Sequence, residues 1–250
     1  MTIIAMQLLE NGALMGCDGV STDPRTGAVH GYLSKIDLLP EHEAMIGISG
    51  CGGFNHLMRW FLPGHVEDFD DLIEVLPALV EHVHFHILEH GLSVTDDTRT
   101  SVMIVGWSRS DKQCKAYRVV TYAKESVNAD TRETTVLEPF ELYPVRVSGM
   151  WSSTSPDREI MERFGVFAGI EEDEGAAMTR LICAGRAASG SASAENEQGV
   201  RFNAGGFVQL ALLRPGLVQS WIAHRWPEDV LGEPIDPSRG VPMPDYLRKP

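Results

Sequence analysis

Basic residues are scarce in this chain: 21 lysines and arginines stand against 35 aspartates and glutamates, a formal charge of −14 over 250 residues. Binding a phosphate backbone needs clustered cations, so nucleic acid is excluded as a partner. Cysteine is sparse too. Cys17, Cys51, Cys114 and Cys183 are scattered without CxxC spacing and read as reduced thiols of a cytoplasmic protein. No window of eighteen residues is apolar and uncharged, which excludes a transmembrane helix. The N-terminus lacks a positive n-region and carries Glu10 and Asn11 where a signal peptide would run on, so no secretion signal is expected.

What remains is an ordinary globular composition, 43% hydrophobic and 22% charged. A chain of this length buries roughly 70–75% of its unfolded surface in one core, and one domain is the default. The opening residues, MTIIAMQLLENGALMGCDGVST, are two short apolar runs around Asn11-Gly12. Both turn residues tolerate the positive φ of a tight primed turn, which predicts a β-hairpin. Residues 21–31 are dense in turn formers, and two further short strands are predicted up to Pro40. AMIGISGCGGF then reads as an apolar strand running into Gly50, Gly52 and Gly53, which suits a tight strand-to-helix turn or an anion cradle.

Helices are predicted over Phe54 to Phe61 and Phe69 to about His90, the second with an apolar face despite Pro77. Residues 98–107 and 113–122 form an antiparallel pair, a turn-rich charged stretch leads to Glu138, and PFELYPVRVSGM is a further strand run. Ser155 and Pro156 read as N-cap and first turn of a helix over Asp157 to Phe164. Glu171 to Ala188 is another helix, with Arg180 and Arg186 in its last turn where the macrodipole favours cations. A hairpin turned on Arg214, Pro215 and Gly216 closes the core. Residues 1–226 make one domain, and the proline-rich residues 227–250 a tail that wraps a surface or a neighbouring subunit. Strands, two helices, strands, two helices and a hairpin give an α+β layered arrangement.

His82, His86 and His90 share one helix face, a spacing that can ligate zinc, but no HExxH or CxxC accompanies them. A solvated or interface face is the expectation, with no metal and no cofactor.

The element order, with TIIAM, NG, CDG and ST at the start, GYLSKIDLLP, the ISGCGG turn and the closing NAGGFVQLALL, resembles proteasome-type subunits of the N-terminal nucleophile hydrolase superfamily. The likeness covers about residues 2 to 225. It implies a four-layer αββα sandwich and a homo-oligomer or ring assembly. It also implies a catalytic set: Thr2 as nucleophile, Asp18 as buried aspartate, Lys35 as catalytic lysine and Gly50 as oxyanion donor, with Ser148 before Gly149 as a supporting serine. Once Met1 is removed, the Thr2 amine, of pKa about 7.7–8.0, is suited to take the proton of its own hydroxyl. A lysine held beside it by Asp18 would lower the amine's proton affinity, and one backbone N–H at Gly50 would contribute roughly 3 kcal/mol to stabilising the oxyanion. Peptide or other amide bonds are the implied substrates.

Two positions depart from the family pattern. Where family members carry an aspartate and a serine ahead of the closing Gly-Gly, this chain has Arg201 and Ala204. The support is missing or supplied elsewhere, with Glu195 or Glu197 as substitutes. Read without the resemblance, Asp18 and Lys35 are equally a structural ion pair, and the glycines a tight turn. A catalytically silent scaffold subunit of the same fold is therefore the alternative expectation.

Overall fold

The protein is described here by a computed structural model over residues 2–23, 26–93, 98–127, 134–145, 149–153, 156–167, 173–189 and 204–236. Six strands come first: β1 (Ile4–Leu9), β2 (Gly12–Asp18), β3 (Val20–Thr22), β4 (Val29–Tyr32), β5 (Ile36–Leu39) and β6 (Ala44–Ser49). Helices α1 (Phe54–Phe61) and α2 (Phe69–His90) follow. Next are β7 (Ser101–Ser108), β8 (Gln113–Val120), β9 (Lys124–Val127), β10 (Thr134–Leu137), β11 (Tyr143–Pro144) and β12 (Met150–Ser152). Helices α3 (Arg158–Arg163) and α4 (Glu174–Ser189) then lead to the closing hairpin of β13 (Phe207–Arg214) and β14 (Leu217–Arg225).

The named strands pair antiparallel, and the fold is mixed α/β. One five-stranded sheet runs β12-β1-β2-β13-β14 and a second β11-β8-β7-β6-β5, with two small ribbons, β9/β10 and β3/β4. Strand alternation explains how the core is divided. Ile4, Met6, Met15 and Cys17 of the first sheet meet Ile36, Met45, Met103 and Val105 of the second. Their neighbours of opposite parity, Ile3, Ala5 and Leu14, turn the other way onto Met178, Leu181 and Ile182 of α4. The second sheet's other face, with Ile46, Ile48 and Ile104, packs on Phe54 and Met58 of α1 and Leu72, Leu76 and Val83 of α2. A strand buried on both faces needs apolar residues at both parities, and β1 and β2 carry them.

Both central helices fall over the residues predicted. Asp68 caps α2 by accepting the Asp71 N–H at 3.1 Å, and Gly91, left-handed at φ 59, ends it. Pro77 is carried inside the helix.

Several local expectations are corrected. In the opening hairpin Leu9 pairs with Gly12, so the turn residues are Glu10 and Asn11, and none of Glu10, Asn11 and Gly12 has positive φ. Gly12 is needed for closeness instead: a Cβ there would lie 2.3 Å from the Leu213 carbonyl oxygen of the neighbouring β13. Within the stretch before Glu138, Lys124–Val127 and Thr134–Leu137 pair as an antiparallel ribbon, with Lys124 opposite Leu137. PFELYPVRVSGM is divided between sheets: Tyr143 and Pro144 pair with β8, while Met150 belongs to β12 and pairs with β1. Pro144 can neither donate to a ladder nor sit mid-sheet, and β11 is accordingly an edge. Helix α3 starts at Arg158 with Asp157 at its N-cap, not Ser155, because Asp157 is still extended at ψ 148.

The tail's first ten residues are tied to the body of this same chain. Leu231 and Pro234 form bridges with Val29 and Ala28, and the Val29 N–H donates to the Glu233 carbonyl at 2.9 Å.

Candidate active site

Asp18 ends β2, a central strand of the first sheet, and is fully buried. A carboxylate in that position needs partners, and its two oxygens receive three donors. Oδ1 accepts the Ile3 N–H at 2.8 Å. Oδ2 accepts the Lys35 Nζ at 2.7 Å and the Gly205 N–H at 3.4 Å. Lys35 is itself only 7% exposed, so this is a buried ion pair, whose desolvation is offset only by good geometry and further hydrogen bonds. Lys35 lies between β4 and β5, and its carbonyl accepts the Ile48 N–H at 2.9 Å, which fixes the backbone from which the side chain reaches.

Thr2 immediately precedes this cluster. Its carbonyl accepts the Ser153 hydroxyl at 3.1 Å, and Ser153 Oγ in turn accepts the Ile4 N–H at 2.9 Å. The alternation of β1 puts position 2 at the parity of Ile4 and Met6, the side facing the second sheet.

Gly50 follows β6 two residues beyond the Ile48 contact with Lys35, at φ +130. The turn is braced from below. The Cys51 N–H donates to Thr100 Oγ1 at 3.3 Å, and the Thr100 N–H to Thr121 Oγ1 at 2.9 Å. A Cβ at Gly50 would lie 2.2 Å from the Arg99 carbonyl oxygen, so this glycine is required by both torsion and space.

Asp18 and Lys35 are thus in direct contact, Thr2 is linked to Asp18 through Ile3, and Gly50 stands at the end of the strand that holds Lys35. Ser148, Arg201, Glu195 and Glu197 lie outside the described residues. Ala204 is fully buried, and its carbonyl accepts Arg186 Nη1 at 3.0 Å.

Other residues of the site were not singled out for it in the sequence. Ser153, Gly205, Arg186 and Asp229 are the main ones. Arg186, expected as a cation complementing a helix end, is 3% exposed and paired with Asp229. The double glycine at 205 and 206 is the one feature that could have pointed to a close approach here.

Burial and then the negative charge of Asp18 push the Cys17 thiol up to about 12, which removes it as a nucleophile beside the pair. The histidine face of α2 is engaged with aromatics: Phe61 stands edge-on to His82 and His86, at centroid distances of 4.6 and 4.9 Å. Among the described residues no group of three His, Cys, Asp or Glu converges to hold a metal, and no helix is long and apolar enough to cross a membrane.

No protein-family model matches the chain, and no curated protein matches its sequence. Solved structures do match its fold. Anbu (ancestral beta-subunit) from Yersinia bercovieri is similar at a TM-score of 0.52 and 7% identity, over 92% of this chain and 89% of that one. The Anbu (Gly-1) mutant from Hyphomicrobium sp. strain MC1 is similar at a TM-score of 0.56 and 9% identity, over 92% and 89%. At such identities the likeness carries the architecture alone, and that architecture is proteasome-like.

Proposed function

We infer that the chain is a proteasome-like amide hydrolase that uses Thr2 as an N-terminal nucleophile after removal of Met1. The observation that carries this reading is the Asp18 carboxylate, which binds the Lys35 ammonium at 2.7 Å and the Ile3 N–H at 2.8 Å. It holds a cation next to the start of β1. In the reaction Thr2 Oγ1 attacks the substrate carbonyl while the Thr2 amine takes the hydroxyl proton. The Gly50 N–H stabilises the oxyanion, and the protonated amine then delivers its proton to the leaving nitrogen. Water attacks the resulting ester by the same route and frees the threonine.

The three cores support a four-layer αββα arrangement. Assembly into a homo-oligomer or ring, a cytoplasmic setting, a peptide substrate and a supporting role for Ser148 belong to the same proposal. So does a single domain over residues 1–226.

A second reading, a catalytically silent subunit of this fold, is favoured by Ala204, an alanine where the family pattern places a serine. One experiment separates them. The intact mass of the purified protein reports Met1, and a threonine-directed electrophile reports the nucleophile. Loss of Met1 and labelling abolished by Thr2→Ala support the hydrolase; retained Met1, or labelling unchanged by Thr2→Ala, refutes it.

A further inference from the structure

Asp18 is supported from a second side. Its Oδ2 accepts the Gly205 N–H, and the Gly205 carbonyl accepts the N–H of Gly19, the residue after Asp18, at 3.1 Å. The Gly205-Gly206 turn thus touches Asp18 through its carboxylate and through its backbone neighbour.

That turn is gripped from behind by a second buried ion pair. Arg186 meets Asp229 with both arms of its guanidinium, Nη1 to Oδ2 at 2.7 Å and Nη2 to Oδ1 at 2.8 Å, with the two side chains 3% and 1% exposed. Two-pronged contacts of this kind fix orientation as well as distance. Nη1 also donates to the Ala204 carbonyl, ahead of the turn, and Asp229 Oδ2 accepts the Gly206 N–H at 2.6 Å, within it. The Trp226 ring lies against the guanidinium, 4.7 Å from centroid to Cζ. No side chain fits between: a Cβ on Gly205 would lie 2.3 Å from Asp229 Oδ2 and 2.4 Å from Arg186 Nη1. Asp229 is in turn held by the Tyr32 hydroxyl, which donates to its carbonyl, and by the bridges of Leu231 and Pro234 to the β4 region.

We propose that Arg186 and Asp229 are positioning residues for the Asp18–Lys35 pair, acting through Gly205 and Gly19. The segment after the last strand is then part of the support of the site. It stands where the resemblance left a gap, at the Ala204 position, and its consequence for catalysis rests on the hydrolase reading above.

Asp229→Asn, which removes the charge and keeps the shape, tests it in the full chain. Amide hydrogen exchange at Ile3 and Gly205, and acetylation of Lys35 followed by mass spectrometry, are the readouts. We expect Ile3, Gly205 and Lys35 each to lose at least tenfold in protection while Ile104 in β7 is unchanged. Protection retained at Ile3 and Lys35 overturns the proposal. Should Asp229→Asn fail to fold, Arg186→Lys, which keeps the charge and loses the fork, is read by the same criteria. Glu228→Gln, at a 3.5 Å contact with Arg186, is the control expected to leave all three sites protected. None of these readouts needs turnover, so a silent wild type refutes the hydrolase and leaves this proposal to its own test. In an active protein Asp229→Asn lowers kcat at least tenfold with KM within twofold.

Discussion

Ser153 donates its hydroxyl to the Thr2 carbonyl at 3.1 Å and accepts the Ile4 N–H at 2.9 Å. One oxygen therefore fixes the backbone on both sides of Ile3, whose own N–H is bound by Asp18. Removing it leaves a buried donor without an acceptor. Ser153→Ala is expected to cost about 1–3 kcal/mol in urea denaturation and to slow electrophile labelling at Thr2. A variant as stable as the parent would show that water replaces the hydroxyl.

The Asp18–Lys35 pair should behave as one unit. Lys35→Met leaves a carboxylate buried without its cation, and Asp18→Asn the reverse, so each is expected to cost about 3–5 kcal/mol. The double variant should cost clearly less than the sum, because the second change relieves the charge stranded by the first. Additive costs in a urea-denaturation cycle would mean that the two residues act independently.

Gly50, Gly52 and Gly53 read alike in the sequence, yet the structure separates the first two. Gly50 is at φ +130 with the Arg99 carbonyl oxygen 2.2 Å from an added Cβ, whereas nothing lies within 4 Å of one at Gly52. Gly50→Ala should therefore lose more than about 2 kcal/mol, and Gly52→Ala stay within about 0.5 kcal/mol of the parent. Equal melting temperatures for the two variants would contradict the strained turn.

Alternation and helical spacing made β1, β2, α1, α2 and the closing hairpin readable, because each is a local pattern repeated over several residues. The Asp18–Lys35 ion pair was also legible, Asp18 from its spacing after Thr2 and Lys35 from its own sequence context in SKIDLL. The support was not: Arg186 meets Asp229 across 43 residues and Asp18 meets Gly205 across 187, and no local periodicity records such pairings. The same holds for Ser153, 151 residues from Thr2. The misplaced hairpin turn has a related cause. Gly12 carries a glycine for the sake of β13, a neighbour that the two-residue turn rule does not see.

His84 supplies a test by pH. Burial holds its pKa below the ordinary histidine value, and its rings of contact are Phe85 and Phe140, at centroid distances of 5.5 and 5.6 Å. A depressed pKa means the folded state prefers the neutral ring, so the unfolded chain binds the proton first on acidification. The contribution of this ring is complete above about pH 6.5, the unfolded value, and is lost as pH falls through the lower folded value. One proton changes stability by at most about 1.4 kcal/mol per pH unit. His224 titrates in the same sense, lowered first by burial, with Glu228 opposing and Arg186 reinforcing the shift. Melting temperature measured from pH 7.5 to pH 5 should therefore fall less steeply in His84→Leu than in the parent, with the curves diverging only below about pH 6.5. Parallel curves across that range would show that His84 accepts its proton in the folded protein as readily as in the unfolded chain.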